Sequence, residues 1–182
     1  MIKTVQIRKE MPCDFAAVYD VIKNAFADME YADGDEQDVV AELRRKSGFV
    51  SDLSLVAEID GIIAGHILFT PVTVGGEIAL CLGPVSVMPE YRNRGIGGSL
   101  ITRGHEIAEK LGYAASVLIG HKDYYPRFGY EPASDYGITF GIDIPDECCM
   151  VKYFRENKNI TGRVKLPPEL IPVSDWEANN KQ

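Results

Sequence analysis

The sequence predicts a mixed α/β fold in which a sheet, mostly antiparallel, carries helices on both faces. Three observations predict it. Apolar periodicity switches between two and about 3.6 along the chain. A run of antiparallel strand signals precedes one strand–helix–strand crossover. The crossover then feeds a near-continuous apolar strand, the pattern of a buried parallel strand.

The elements follow in order. Val5 and Ile7 alternate with polar neighbours and predict a short first strand. Pro12 suits the first position of a helix. Phe15, Val18, Tyr19, Ile22, Ala25, Phe26 and Met29 then recur at helical spacing, for about four turns. After the polar break EYADGDEQ, Asp35 is placed to cap a second helix carrying Val39, Val40 and Leu43, which stops near Gly48. LSLVAEID and IIAGHILFTPV, joined at Asp60-Gly61, predict a hairpin. Gly75-Gly76 marks the next turn, and EIALCLGPVSV is a strand interrupted at Gly83-Pro84, where a bulge or splay is expected because proline cannot donate to a ladder. Ile96, Leu100, Ile101, Ile107, Ala108 and Leu111 form a helical stripe ending at Gly112. AASVLIG is the buried strand, HKDYYPRFGYEPA a short helix or turn, YGITFGIDI an antiparallel edge strand and MVKYF a last strand. The tail from Glu156 is polar, with VKLPPELIPV docking on the body and Trp176 anchoring it. Residues 1–145 form the core and 146–182 an extension, not a separate domain.

Composition narrows the function classes. The 182 residues suit one domain, and 46% hydrophobic with 25% charged residues allow a real core. A formal net charge of −8 argues against a general nucleic-acid binder but leaves room for a local basic pocket. No segment reads as a signal peptide or a membrane span, and Cys13, Cys81, Cys148 and Cys149 form no C-x-x-C pair, so reduced cytoplasmic thiols are expected. His66, His105 and His121 lack metal-site spacing, and no metal is expected.

The chemistry concentrates in VSVMPEYRNRGIGGSLITRG. With Val85 and Val87 on a strand and Ile96 opening a helix, RNRGIGGS is a strand-to-helix turn. Partnerless backbone N–H groups, the positive end of the helix dipole, close-approach glycines and the charges of Arg92 and Arg94 make a phosphate cradle there. The bland alternative is a glycine-rich turn that packs a helix on a sheet. Gly97-Gly98-Ser99 lacks the lysine of a Walker motif, and Leu100 stands where the dinucleotide fingerprint needs a third glycine.

The stretch resembles the acyl-CoA-binding motif of the GNAT superfamily of N-acetyltransferases. Val87, Pro89, Arg92, Gly95 and Gly97 match it in order, and YPRFGY supplies the family's downstream Tyr125, then Gly129 and Tyr130. The likeness spans about residues 3–142, and a subgroup of small bacterial N-acetyltransferases fits closely. It implies a GNAT-like sheet with two splayed parallel strands and acetyl-CoA as co-substrate. The pyrophosphate would lie on the amides of Arg92, Asn93, Arg94, Gly95, Ile96, Gly97, Gly98 and Ser99. The pantetheine arm would run between Val85–Val87 and the strand ending at Gly120, with His121 and Tyr124 touching the cofactor.

The implied reaction is attack of a neutral primary amine on the thioester. Tyr125 takes the family's general-acid role; its phenol stays protonated at neutral pH. Tyr124 is the alternative hydroxyl. The strand before the corner lacks the carboxylate some members use as base. Glu30, Asp33, Glu77, His66, His121 or a water chain are the candidates, His66 being equally a structural histidine and Glu30 and Asp33 more often just solvated charges. Cys81 reads as a buried small hydrophobe. The negative net charge favours an amine-bearing acceptor. A homodimer is one option. A non-catalytic acyl-CoA-binding or sensory domain and a nucleotide-binding module stay open as alternatives.

Overall fold

The computed structural model describes residues 4–29, 32–157 and 159–171. The chain divides into two compact units: Met1–Thr70 with Gly83–Ala108, and Pro71–Leu82 with Glu109–Gln182.

In the first unit, strand β1 (Val5–Lys9) pairs antiparallel with β2 (Ser54–Ile59), Val5 facing Ile59 and Lys9 facing Leu55. β2 pairs antiparallel with β3 (Ile62–Val74), with Val56 opposite His66 and a bulge at Ala57/Glu58. The hairpin turn is the expected Asp60-Gly61, both residues at positive φ (52° and 81°), as a twist-matched two-residue turn requires. Pro12 opens a 3-10 turn, Pro12–Asp14, and helix α1 follows at Phe15–Phe26. The helix is shorter than its periodicity suggested. Met29 lies beyond its end and is exposed, as is Phe15.

Helix α2 is Glu36–Leu43. Asp35 holds the N-cap position, yet its side chain caps nothing. The Glu36 carboxylate instead accepts from the N–H groups of Asp33 (2.9 Å) and Gly34 (3.2 Å), so the polar break is tied by the residue after the expected cap.

Helix α3 (Ile96–Lys110) packs on β3: a Cβ on Gly104 would fall 2.2 Å from the Phe69 ring, and one on Gly65 would meet Leu100 and Ile96 at 3.1–3.2 Å. Gly65 and His66 are neighbours on a strand and point to opposite faces. His66 faces Glu10, which holds Arg44 at the C-cap of α2, so this part of the sheet carries helices on both faces. Leu111, expected on the α3 stripe, is exposed; Gly104 and His105 are buried.

In the second unit β3 turns at Gly75-Gly76 into β4 (Glu77–Val87), whose first part pairs parallel with β5 (Ala115–Ile119) at Leu80↔Ser116 and Cys81↔Val117. Both pairs precede the Gly83-Pro84 break. β5 pairs antiparallel along its length with β8 (Cys149–Tyr153), and β8 with β6 (Glu131–Pro132). The MVKYF strand is therefore internal, with a strand on each side of it.

Two further expectations are corrected. YGITFGIDI yields only β7 (Ile138–Thr139), and it pairs parallel, with β9 (Gly162–Lys165). β9 was read as polar tail; it pairs antiparallel with β3 at Thr73↔Lys165 and Val74↔Val164. Leu166 and Leu170 beyond it pack on a core that includes Val72, Val117, Phe140 and Val151. Trp176 lies outside the described residues. No helix among the described residues is long and apolar enough to cross a membrane.

Candidate active site

The first unit holds the glycine corner. After β4 the chain makes a 3-10 turn, Pro89–Tyr91, runs through Arg92 to Asn93 and Arg94, and enters α3 after Gly95. Asn93 (φ 62°) and Gly95 (φ 77°) are both left-handed. Alternating hand at successive residues turns backbone N–H groups toward one concave side, a nest for an anion. For asparagine the conformation is tolerated; for glycine it is free.

The amides of Arg92 and Ser99 are already committed, to the carbonyls of Pro89 (3.3 Å) and Gly95 (2.9 Å), and the Ser99 hydroxyl also bonds the Gly95 carbonyl at 3.1 Å. The cradle therefore narrows from the expected Arg92–Ser99 span to the amides of residues 93–98. Those of Ile96, Gly97 and Gly98 lie in the first turn of α3 and have no intrahelical acceptor.

The two arginines differ. Arg94 is exposed, its guanidinium 5.3 Å over the Tyr91 ring. The Arg92 side chain turns to Asp28 and the Ala25 carbonyl. The guanidinium holds the Asp28 carboxyl below the usual carboxylate range, and the carboxylate raises Arg92 in turn. This partnership, across 64 residues of sequence, had no local signal. Upstream, Val85 and Val87 are half-buried on one side of β4, and Met88 N–H bonds the Ala64 carbonyl at 2.9 Å.

The same unit holds His66, and the structure withdraws it as a base. It is wholly buried (0% exposed). Ser54 Oγ donates to Glu10 Oε2 at 2.6 Å and so accepts from His66 Nε2–H at 3.0 Å. Nδ1 has no hydrogen-bond partner among the described residues. Desolvation, then the nearby Arg44 charge, pushes the His66 pKa down to about 3. A neutral imidazole sealed from solvent reaches no amine.

The other base candidates separate. Asp33, Glu77 and His121 are exposed; the His121 side chain is 75% exposed, and its Nδ1 accepts from Asp123 N–H at 3.3 Å. Glu30 lies outside the described residues.

The second unit holds Tyr125. It opens a 3-10 turn, Tyr125–Phe128, after β5. Gly120 N–H bonds the Cys148 carbonyl (2.9 Å), and the Tyr125 ring lies directly on Gly120, where a Cβ would fall 2.4 Å from Cε2. Tyr124 and Tyr130 meet the ring edge-on at 5.1 and 5.9 Å. Tyr130 is buried, its hydroxyl 2.9 Å from Ser116 Oγ. Burial first, then Tyr124 and Cys81, raises the Tyr125 pKa above that of a free phenol, so the group is a proton donor and not a base at neutral pH. Burial also raises Tyr124 and pushes the Cys81 thiol up to about 12, as an inert, small apolar residue requires.

An acetyltransferase (GNAT) domain model matches residues 6–133. The chain is 37% identical over 139 residues to the uncharacterized N-acetyltransferase YjhQ of Escherichia coli K12, covering 71% of this chain and 77% of YjhQ. This chain belongs to the GNAT acetyltransferase family.

Two solved GNAT structures resemble it along nearly its whole length. YhbS of Escherichia coli, in complex with CoA, is 27% identical with a TM-score of 0.84 and 93% of each chain covered. A GNAT acetyltransferase of Brucella melitensis, in complex with acetyl-CoA, is 34% identical with a TM-score of 0.78, covering 92% of this chain and 99% of its own. The mixed sheet, mostly antiparallel with the β4–β5 parallel pair, is the GNAT arrangement that the motif implied.

Proposed function

We propose that this acyl-CoA-dependent N-acetyltransferase moves acetyl from acetyl-CoA to a primary amine by direct attack. The observation that carries the reading is the left-handed pair Asn93 and Gly95 opening onto α3, in a family whose relatives were solved with CoA and acetyl-CoA. A cradle built of backbone donors suits a pyrophosphate.

In this reading the amides of residues 93–98 hold the pyrophosphate, Arg94 adds charge, and the β4 backbone at Val85 and Val87 orients the thioester and polarises its carbonyl. The amine nitrogen bonds to the carbonyl carbon, the carbon–sulfur bond breaks, and the thiolate takes a proton from Tyr125. The proton lost by the amine passes to water or to a carboxylate, and Tyr125 is reprotonated from solvent. The products are the amide and free CoA. A non-catalytic acyl-CoA-binding domain finds no support in these relatives. Four free cysteines fit a reducing, cytoplasmic setting.

The test pairs binding with turnover. Acetyl-CoA should raise the melting temperature where ATP and NAD do not, and a panel of primary amines should yield at least one acceptor that releases CoA. Stabilisation by ATP and not by acetyl-CoA would overturn the reading; acetyl-CoA binding without turnover on any amine would revive the non-catalytic alternative.

A further inference from the structure

We infer that Arg92 is a positioning residue and not a phosphate ligand: together with Asp28 it locks the phosphate-binding corner to the C-terminal end of α1. The inference rests on the acyl-CoA reading of the corner and divides the work of its two arginines.

The Arg92 guanidinium meets the Asp28 carboxylate as a fork, Nη1 to Oδ2 and Nη2 to Oδ1, each at 3.0 Å, and Nη2 also donates to the Ala25 carbonyl at 2.7 Å. Ala25 belongs to the last turn of α1, where carbonyls lack intrahelical donors and the dipole end is negative. One cation therefore satisfies a helix terminus and a carboxylate together. To reach a phosphate, it would have to give up both. Only a planar fork makes this set of bonds; a lysine ammonium does not.

The tie sits where the corner needs it. Asn93 follows directly and holds a left-handed φ of 62°, a conformation that persists in a non-glycine residue when its surroundings over-determine it. The anchored Arg92 side chain fixes the chain on one side of Asn93, and α3 fixes it on the other. Asp28 is 63% exposed and Arg92 30%, so the pair adds little to global stability; its effect is local geometry. Arg94, with no carboxylate partner among the described residues, is left to face the anion.

The experiment measures acetyl-CoA affinity by calorimetry across a salt series for wild type, Asp28→Asn, Arg92→Ala, Arg92→Lys, the Asp28→Asn/Arg92→Ala double variant and Arg94→Ala. Asp28→Asn and both Arg92 variants should each weaken binding by a similar factor, on the order of 3-fold. The double variant should be no worse than either single one, because both remove the same tie. The salt dependence should stay at the wild-type slope in these variants and flatten in Arg94→Ala. If Arg92 were instead a phosphate ligand, Asp28→Asn would release it and tighten binding, Arg92→Lys would keep most of the affinity, and Arg92→Ala would flatten the slope. Any of these, or additive losses in the double variant, overturns the inference. Wild-type protein that fails to bind acetyl-CoA at all overturns the acyl-CoA reading itself, a separate result.

Discussion

At the scale of single residues, the proposed chemistry turns on how Tyr125 is held. Its ring lies against Gly120, with Tyr124 and Tyr130 packed edge-to-face on it, so the hydroxyl direction is set by steric fit. Tyr125→Phe keeps that packing and removes only the proton donor. It should lower kcat by about 100-fold or more, the usual reach of general acid catalysis, and leave acetyl-CoA affinity unchanged. Gly120→Ala should also lower kcat, by displacing the ring. The check is a double-variant cycle in steady-state kinetics: Gly120→Ala should add little once Tyr125 is phenylalanine. Unchanged kcat in Tyr125→Phe would remove the phenol from the mechanism. Tyr125 was legible in sequence because YPRFGY is a local motif. The Gly120 contact was not, because nothing in sequence says which ring will lie on a glycine.

At the scale of elements, α3 does two things at once. Its N-terminus presents the amides of the proposed cradle, and its body presses on β3 through glycines. Gly104 is the closest approach, its missing Cβ leaving room for Phe69. Gly104→Ala adds helix propensity but drives a methyl into the ring, and overpacking of this kind costs about 1–3 kcal/mol. The expected result is a lower midpoint in urea unfolding. A variant as stable as wild type would mean that α3 shifts without cost. Helix and strand were both readable from periodicity, and so was the turn between them. Short elements were not: β7 and β9 are two and four residues long and take their strand character from each other and from the edge of β3. Asp35 holds the N-cap position without a side-chain bond, and the Glu36 carboxylate ties the turn before it instead.

At the scale of the whole molecule, stability leans on a buried polar network that joins β1, β2, β3 and the end of α2. Glu10 (side chain 1% exposed) pairs with Arg44 (8%), and Ser54 and His66 complete it. His66 is the titrating member near neutral pH. Its folded pKa, about 3, lies below the unfolded value of about 6.5, so the unfolded chain binds a proton that the folded one refuses. The stabilisation is complete above pH 6.5 and is lost as pH falls toward 3, by about 1.4 kcal/mol per pH unit within that window. Unfolding of wild type between pH 7.5 and 5 should show this loss, and His66→Gln should flatten it. Equal slopes in the two proteins would assign the pH dependence to other groups.

The sequence by itself determined the fold class and membership of the family, and it singled out the strand-to-helix corner before α3 and Tyr125 as candidates, because each is written in contiguous residues whose periodicity or backbone requirements are local. Only the tertiary structure decided that Arg92 serves Asp28, that His66 is sealed and neutral, that Gly120 seats Tyr125, and that the tail returns as a strand. Apart from the Gly120 contact, which joins residues five apart across a turn, each of these depends on groups far apart in the chain meeting where water is excluded or a partner is within hydrogen-bond reach. Burial and pairing of that kind are properties of the packed molecule and leave no mark in the order of neighbouring residues.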